Sequence, residues 1–316
     1  MSQVIENLSN EEYHRGEQFA EYISSTQLRW YEVSPKYYKW MLAQEPTQSE
    51  ALQFGSLFHE MMQAYVNNQP MPEFAVFSAP TNEKTGKEYG SATKAYKDAY
   101  EQFVSDNEGK TIVTQDTLTT LDAMYHTIIG NDDPTAEFVA NAMRHGKGEV
   151  SILTEIDGVK VKVRPDVLTR RRILDCKTTD TNDLTEESIN RIISRYGYDI
   201  SAAMYQAAVH EATGRWHDFY LVFVSKNAPY DFAVVDMRKW AYEYDEESDI
   251  ITPNIGAIKF RQLLAQHKWC VEHNQWEGST TRVVPDFQGK RIITPEPPTY
   301  ENYKMINFYN NVLEYE

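Results

Sequence analysis

The chain has 316 residues, 41% of them hydrophobic and 13% aromatic, which is enough for one large domain or two smaller ones. Its net charge is −16, from 31 Lys and Arg against 47 Asp and Glu. That balance argues against a generic DNA coat with a basic surface, though local cationic patches remain open to it. No apolar run approaches the ~20 residues that span a bilayer, and the polar N-terminus lacks an apolar signal core. Cys176 and Cys270 are too few for a disulfide framework or a four-cysteine metal site, so a reducing, cytoplasmic setting is expected.

Residues 1–20 read as a flexible or loosely docked lead. Ser24 or Ser25 then caps a helix that carries Leu28, Trp30 and Tyr31, and Ser34-Pro35 stops or restarts it. These aromatics read first as core. The amides and hydroxyls at the helix start could also hold a phosphate, which makes Ser24, with Arg29 just beyond, a candidate nucleic-acid contact. Residues 49–67 form a helix with a broad apolar face of Leu52, Leu57, Phe58, Met61, Met62 and Tyr65. Gly55 inside it costs about 1 kcal/mol against alanine, which points to close packing. His59 follows one turn later, either as a packed side chain or as a metal or phosphate ligand. Residues 70–90 are loop-like. Residues 92–107, 115–129 and 132–144 read as helices of an insert, about 92–144, ahead of a sheet.

The stretch 149–179 organises the chain. Residues 151–156 and the alternating Val159, Val161 and Val163 flank the hairpin signal Asp157-Gly158, and residues 173–177 form a third strand. If the second strand stays regular through Pro165, Asp166 shares a face with Lys160, Lys162 and Arg164. Asp175 and Lys177 are two apart and share a face, and Cys176 points the other way. Two carboxylates and a lysine can therefore converge, with Glu149 as a third acid. Hard cations such as Mg²⁺ take such oxygen ligands, and a lysine beside them can orient a water or stabilise charge on phosphate. Taken alone, Asp-x-Lys more often marks a solvated ion pair. The apolar lead Ile173-Leu174 and the preceding Arg-Pro-Asp weigh against that.

Residues 185–195 form a short helix on which Arg191 and Arg195 share a face, as possible phosphate contacts. Residues 198–213 form an alanine-rich helix capped by Gly214, from which Tyr205 and Gln206 are expected to face the site. Residues 216–224 and 230–237 are strands that extend the sheet, and 255–272 is a helix. The segment 295–316 is an aromatic, acidic tail. No internal repeat or low-complexity region is present.

Six pieces in this order resemble the PD-(D/E)XK nuclease superfamily. They are Ile23-Ser24-Ser25-Thr26-Gln27-Leu28 with Ser34-Pro35; Gly55-Ser56-Leu57-Phe58-His59-Glu60; Glu149-Val150-Ser151; Arg164-Pro165-Asp166; Leu174-Asp175-Cys176-Lys177-Thr178-Thr179; and Tyr198 with Tyr205. Within it, the chain is most similar to exodeoxyribonuclease VIII (RecE-type) nucleases of phage recombination. The resemblance implies an α/β fold, restriction-endonuclease-like, with a mixed central sheet flanked by helices, in a single nuclease domain over 21–294.

By that resemblance Asp166, Asp175 and the main-chain carbonyl of Cys176 would ligate Mg²⁺ or Mn²⁺, and Lys177 would orient the attacking water. His59 would be a helix-borne ligand or second-metal contact, as in RecB-like nucleases, Glu149 would position a metal or its water, and Tyr205 would support the site. Related nucleases often carry a glutamine four residues before that tyrosine. Here the position is Ser201, and Gln206 lies one step past Tyr205, a turn of about 100°. The implied activity is 5′-to-3′ digestion of linear double-stranded DNA. It would come with a ring-like trimer or tetramer, Lys160, Lys162, Arg164, Arg191 and Arg195 facing inward, a single-strand annealing partner and a phage-bearing bacterial host. The alternatives are a RecB-like nuclease acting on single-stranded or flapped DNA, and a non-catalytic DNA-end-binding protein.

Overall fold

A computed structural model of the chain describes residues 2–45, 49–282, 288–293 and 295. The tail expected from 295 onward therefore lies, beyond Pro295, outside the described residues. In chain order the strands are β1 (Gln3–Ile5), β2 (Phe74–Val76), β3 (Thr111–Val113), β4 (Lys147–Gly148), β5 (Ser151–Ile156), β6 (Val159–Val163), β7 (Val167–Leu168), β8 (Arg172–Thr179), β9 (Asp218–Ser225), β10 (Phe232–Asp236), β11 (Tyr242–Asp245) and β12 (Ile250–Pro253). The helices are α1 (Asn10–Arg15), α2 (Ser25–Val33), α3 (Pro35–Leu42), α4 (Glu50–Val66), α5 (Lys94–Asp106), α6 (Gln115–Ile128), α7 (Pro134–His145), α8 (Glu186–Tyr196), α9 (Tyr198–Thr213) and α10 (Ile255–His273). Among the described residues, no helix is long and apolar enough to cross a membrane.

The scaffold is a five-stranded mixed sheet in the order β10-β9-β8-β7-β4. Its centre is the parallel pair β8–β9, in register from Arg172↔Asp218 to Thr179↔Ser225. Parallel strands need a long crossover, and α8 and α9 supply it. The sheet is covered on both faces. Ile173 and Phe219 face a core built with α2, α9 and α10, around Leu28, Tyr31, Ala203 and Phe260. Leu174, Cys176 and Val222 face a second core, around Phe58, Met62, Leu121 and Met143 from α4, α6 and α7. Alternation along β8 thus sends Asp175 and Lys177 to one side and the Cys176 thiol to the other, as the period of two requires. The region expected to be a helical insert is part of this architecture, since α6 and α7 supply much of the second core.

The N-terminus departs from the expected lead. β1 pairs antiparallel with β5, completing a separate three-stranded sheet β1-β5-β6. Ser9 caps α1 in a reciprocal pairing with Glu12, and Tyr13 and Phe19 are buried. Two cations anchor this segment. Arg164 Nη1 donates to Asn10 Oδ1 (2.8 Å) and Nη2 to the Leu8 carbonyl (2.9 Å), and Lys162 Nζ donates to the Tyr13 carbonyl (2.7 Å). The Tyr13 ring lies 4.2 Å under the Arg164 guanidinium. Lys162 and Arg164 therefore read as strand residues on a solvated face but are buried by a segment far away in sequence.

Candidate active site

β6 does not run through Pro165. It ends at Val163, and Asp166 opens onto the two-residue strand β7. β7 pairs with β8 as Val167↔Leu174. One step further along this antiparallel register, Asp166 comes opposite Asp175. Because β7 is so short, the Cys176 main chain has no strand partner on that edge. The Cys176 N–H donates instead to Asp166 Oδ2 (2.7 Å), and His59 Nε2, from α4, donates to the Cys176 carbonyl (2.9 Å). His59 Nδ1 stands 3.5 Å from Asp166 Oδ2, and Lys177 Nζ pairs with Asp175 Oδ2 at 2.5 Å. A broken strand thus concentrates two acids, a lysine, an imidazole and a carbonyl outside the strand ladder at one edge of the sheet.

The electrostatics follow from burial. Asp175 is 6% exposed. Burial raises the Asp166 pKa to about 6; His59 opposes the rise and the Asp175 charge adds to it. Burial works against the Lys177 ammonium, but Asp175 and Asp166 outweigh it and hold the Lys177 pKa above the ordinary lysine value. Tyr205 lies within electrostatic reach of Asp175 and Lys177, packs edge-on to Phe219 with centroids 5.9 Å apart, and has its phenol pKa pushed well up by burial.

Glu149 joins this group from the link between β4 and β5. Its backbone is left-handed, φ +50°, a conformation that a side-chain-bearing residue adopts rarely, and its N–H donates to the Asp166 carbonyl (3.3 Å). His59, Cys176, Lys177 and Glu149 line a cleft of about 1070 Å³, with His14, Tyr196 and Lys226 elsewhere in its wall; Asp166, Asp175 and Tyr205 are not part of that wall.

The donor set suits a hard divalent cation: two carboxylates, one imidazole and a main-chain carbonyl, with a half-buried Asp166 beside a buried Asp175. In the arrangement present, Asp175 is engaged by Lys177, and among the described residues no three His, Cys, Asp or Glu side chains stand together as a ligand cluster. The chemistry of the donors fits a metal. Asp175 would have to share its carboxylate between that metal and Lys177.

Other expected contacts fall elsewhere. Arg164 does not reach the cleft, because its guanidinium is spent on Ser151, Asn10 and Leu8. Gln206 is buried on the far side of α9, where it donates to the His217 and Tyr242 carbonyls and accepts from the Tyr242 N–H. It cannot replace the glutamine missing at Ser201. The Ser24 hydroxyl caps α2 by accepting from the Gln27 N–H, and Arg29 packs on the turn between α8 and α9. Arg191 is exposed beside Glu187, and the Arg195 guanidinium lies over the Tyr196 ring.

Sequence reading missed Gln63 and Gly148. Gln63 Nε2 donates to the Asp166 carbonyl (2.8 Å), and Asn67 Oδ1 accepts from the Gly148 N–H (3.2 Å). A Cβ on Gly148 would stand 1.9 Å from Gln63 Oε1. The available signal was the four-residue spacing of His59, Gln63 and Asn67, which puts them on one face of α4.

Comparison with known proteins agrees with this architecture. A crystal structure from Eubacterium rectale, of a protein whose name proposes exonuclease activity, superposes with a TM-score of 0.52 at 15% identity, covering 94% of this chain and 98% of that one. A second solved structure, SSO0001, reaches a TM-score of only 0.26 at 15% identity, over 54% of this chain and 70% of that one, and carries no argument. No curated protein matches the chain. The family model for the PDDEXK-like domain of unknown function DUF3799 matches residues 24–280, so the chain belongs to that family.

Proposed function

We propose that the protein is a divalent-metal-dependent nuclease that hydrolyses phosphodiester bonds of linear DNA from an end. The observation that carries this is the opposition of Asp166 and Asp175 beside Lys177, on a strand edge left open by the shortness of β7. A protein with no chemistry to perform gains little from burying such charges together. A Mg²⁺ or Mn²⁺ held by Asp166, Asp175, the Cys176 carbonyl and His59 would supply a Lewis acid for the phosphate and lower the pKa of a bound water. The chain does the rest. Lys177, kept protonated by its acids, donates to the attacking water or to the phosphate oxygens as their charge grows. Glu149 offers a further acceptor in the cleft wall, and Gln63 and the Cys176 N–H hold Asp166 in place.

The RecE-type likeness supports a finer reading: 5′-to-3′ digestion of duplex DNA during phage-type recombination, by a ring-like oligomer working with an annealing protein in the cytoplasm of a bacterial host. The burial of Lys162 and Arg164 removes two of the cations expected to line such a ring.

The test is digestion of linear 5′-phosphorylated duplex DNA, with Mg²⁺ or with EDTA, by the parent and Lys177→Ala. Release of nucleotides should require metal, spare a closed circle and fall by at least ~100-fold in the variant. Failure of the folded, metal-supplied parent to digest duplex, single-stranded or flapped DNA would leave a DNA-end-binding protein.

A further inference from the structure

The cleft carries an aromatic step that the chemistry above does not use. α8 ends at Tyr196, α9 begins at Tyr198, and Gly197 between them is left-handed, φ +61°. The turn is held tightly: a Cβ on Gly197 would stand 2.1 Å from Arg29 Nε, and Arg29 Nη2 donates to the Arg195 carbonyl (3.4 Å). The rings of Tyr196 and Tyr198 stack with centroids 5.6 Å apart and planes at 21°. Both line the cleft.

This stack has an inner and an outer end. At the inner end, Lys177 Nζ lies 5.6 Å from the Tyr198 ring centroid. At the outer end, Tyr196 is 46% exposed, with the Arg195 guanidinium 5.6 Å from its centroid. Lys226 lines the same cleft from the end of β9. The step therefore leads outward from Lys177 by way of two stacked rings, with a cation at each end. A chain of net charge −16 gains little from long-range attraction to a polyanion, so short-range stacking has more to supply.

We infer that Tyr196 is a stacking platform for an unpaired base of the strand whose backbone passes Lys177, so that the site takes a single-stranded end. This rests on the nuclease reading above. Every base has a π face that an aromatic ring can hold without regard to sequence, whereas inside a duplex both faces are already covered by neighbouring pairs. Tyr198 is the fixed support beneath, Gly197 packed on Arg29 keeps the two rings in step, and the Arg195 side chain, which lies 5.6 Å from the Tyr196 centroid in the free protein, swings aside to admit the base.

The experiment measures binding of a fluorescent 5′-phosphorylated single-stranded oligonucleotide in EDTA, where metal-dependent hydrolysis is stopped, by the parent, Tyr196→Ala and Tyr196→Phe. An abasic site is placed at successive positions from the end. Tyr196→Ala should weaken binding about ten-fold and Tyr196→Phe should not. One abasic position should weaken binding to the tyrosine protein by a similar factor and erase its difference from the alanine protein. Equal affinity of the tyrosine and alanine proteins for the intact strand, or an alanine deficit that persists at every abasic position, overturns the inference. The abasic scan on the tyrosine protein alone tests the same point without changing this surface, and an affinity indifferent to every abasic position also overturns it. If the parent neither binds nor digests DNA, the nuclease reading falls as well; if it digests DNA and Tyr196→Ala binds unchanged, only the stacking platform falls.

Discussion

Asp166 is pulled in two directions. Burial and Asp175 favour its protonated form, while His59, Lys177 and the Cys176 N–H favour the carboxylate. A residue so placed is ready to exchange a proton for a cation. His267 shows the same physics in the core, far from that chemistry in sequence. It is buried edge-on against the stacked rings of Tyr31 and Tyr38, Nδ1 and the Tyr31 hydroxyl share a hydrogen bond of 2.8 Å, and burial lowers its pKa from 6.5 to about 4. The unfolded chain takes up this proton near pH 6.5, the folded one only near pH 4, so between those values the unfolded state binds more protons and stability falls as pH falls. Urea denaturation at pH 7 and pH 4.5 should show a loss of about 2–3 kcal/mol attributable to this group. His267→Gln should lose correspondingly less over the same interval, and an equal loss in both proteins would refute the assignment.

At the level of elements, α4 is a ruler laid along the site. His59, Gln63 and Asn67 recur every four residues and meet the Cys176 carbonyl, the Asp166 carbonyl and the Gly148 N–H in turn. Gly55, read as a close-packing glycine, is less demanding than Gly148. A Cβ there would meet Thr178 Oγ1 at an ordinary 3.6 Å, so Gly55 chiefly leaves the cleft wall open. Gly148→Ala should destabilise the fold by about 2 kcal/mol or more, through overpacking against Gln63. Gln63→Ala alone removes the shorter of the two hydrogen bonds to the Asp166 carbonyl, leaving the Glu149 N–H at 3.3 Å, and should cost about 1 kcal/mol. The double variant should be distinctly more stable than the sum predicts, because the second change removes the atom that the first one strikes. Strict additivity in thermal melts would show that α4 does not position Asp166 in this way.

For the whole molecule, the consequence of the donor cluster is metal-linked stability. A cation that binds the folded chain at about 100 times its Kd adds about 2.7 kcal/mol. Millimolar Mg²⁺ or Mn²⁺ should then raise the parent's Tm by about 5 °C or more, and should leave Asp166→Asn or Asp175→Asn nearly unmoved. A parent indifferent to both ions would separate this fold from metal chemistry. The anchoring of residues 3–15 on β5, Lys162 and Arg164 matters at this scale too: it places Asn10 and His14 in the wall of the cleft, although the family match begins only at residue 24.

Much of this was legible locally. Strand β5, helices α4 and α9 and the Gly214 cap follow from periodicity and capping residues, which act over a few positions. The shared face of Asp175 and Lys177 follows from the strand period alone. What local pattern could not decide was which polar face would be covered. Lys160, Lys162 and Arg164 alternate as a solvated strand should, yet Lys162 and Arg164 are buried because β1 and α1 return across them. Gln206 differs from Tyr205 by one helical step, and only the position of β11 shows that this step turns it into the interior. The sequence by itself determined the acids, the lysine and the strand that presents them. The tertiary structure decided that β7 stops after two residues, because pairing is a contact between segments, and that early stop is what leaves the Cys176 edge open to Asp166 and His59.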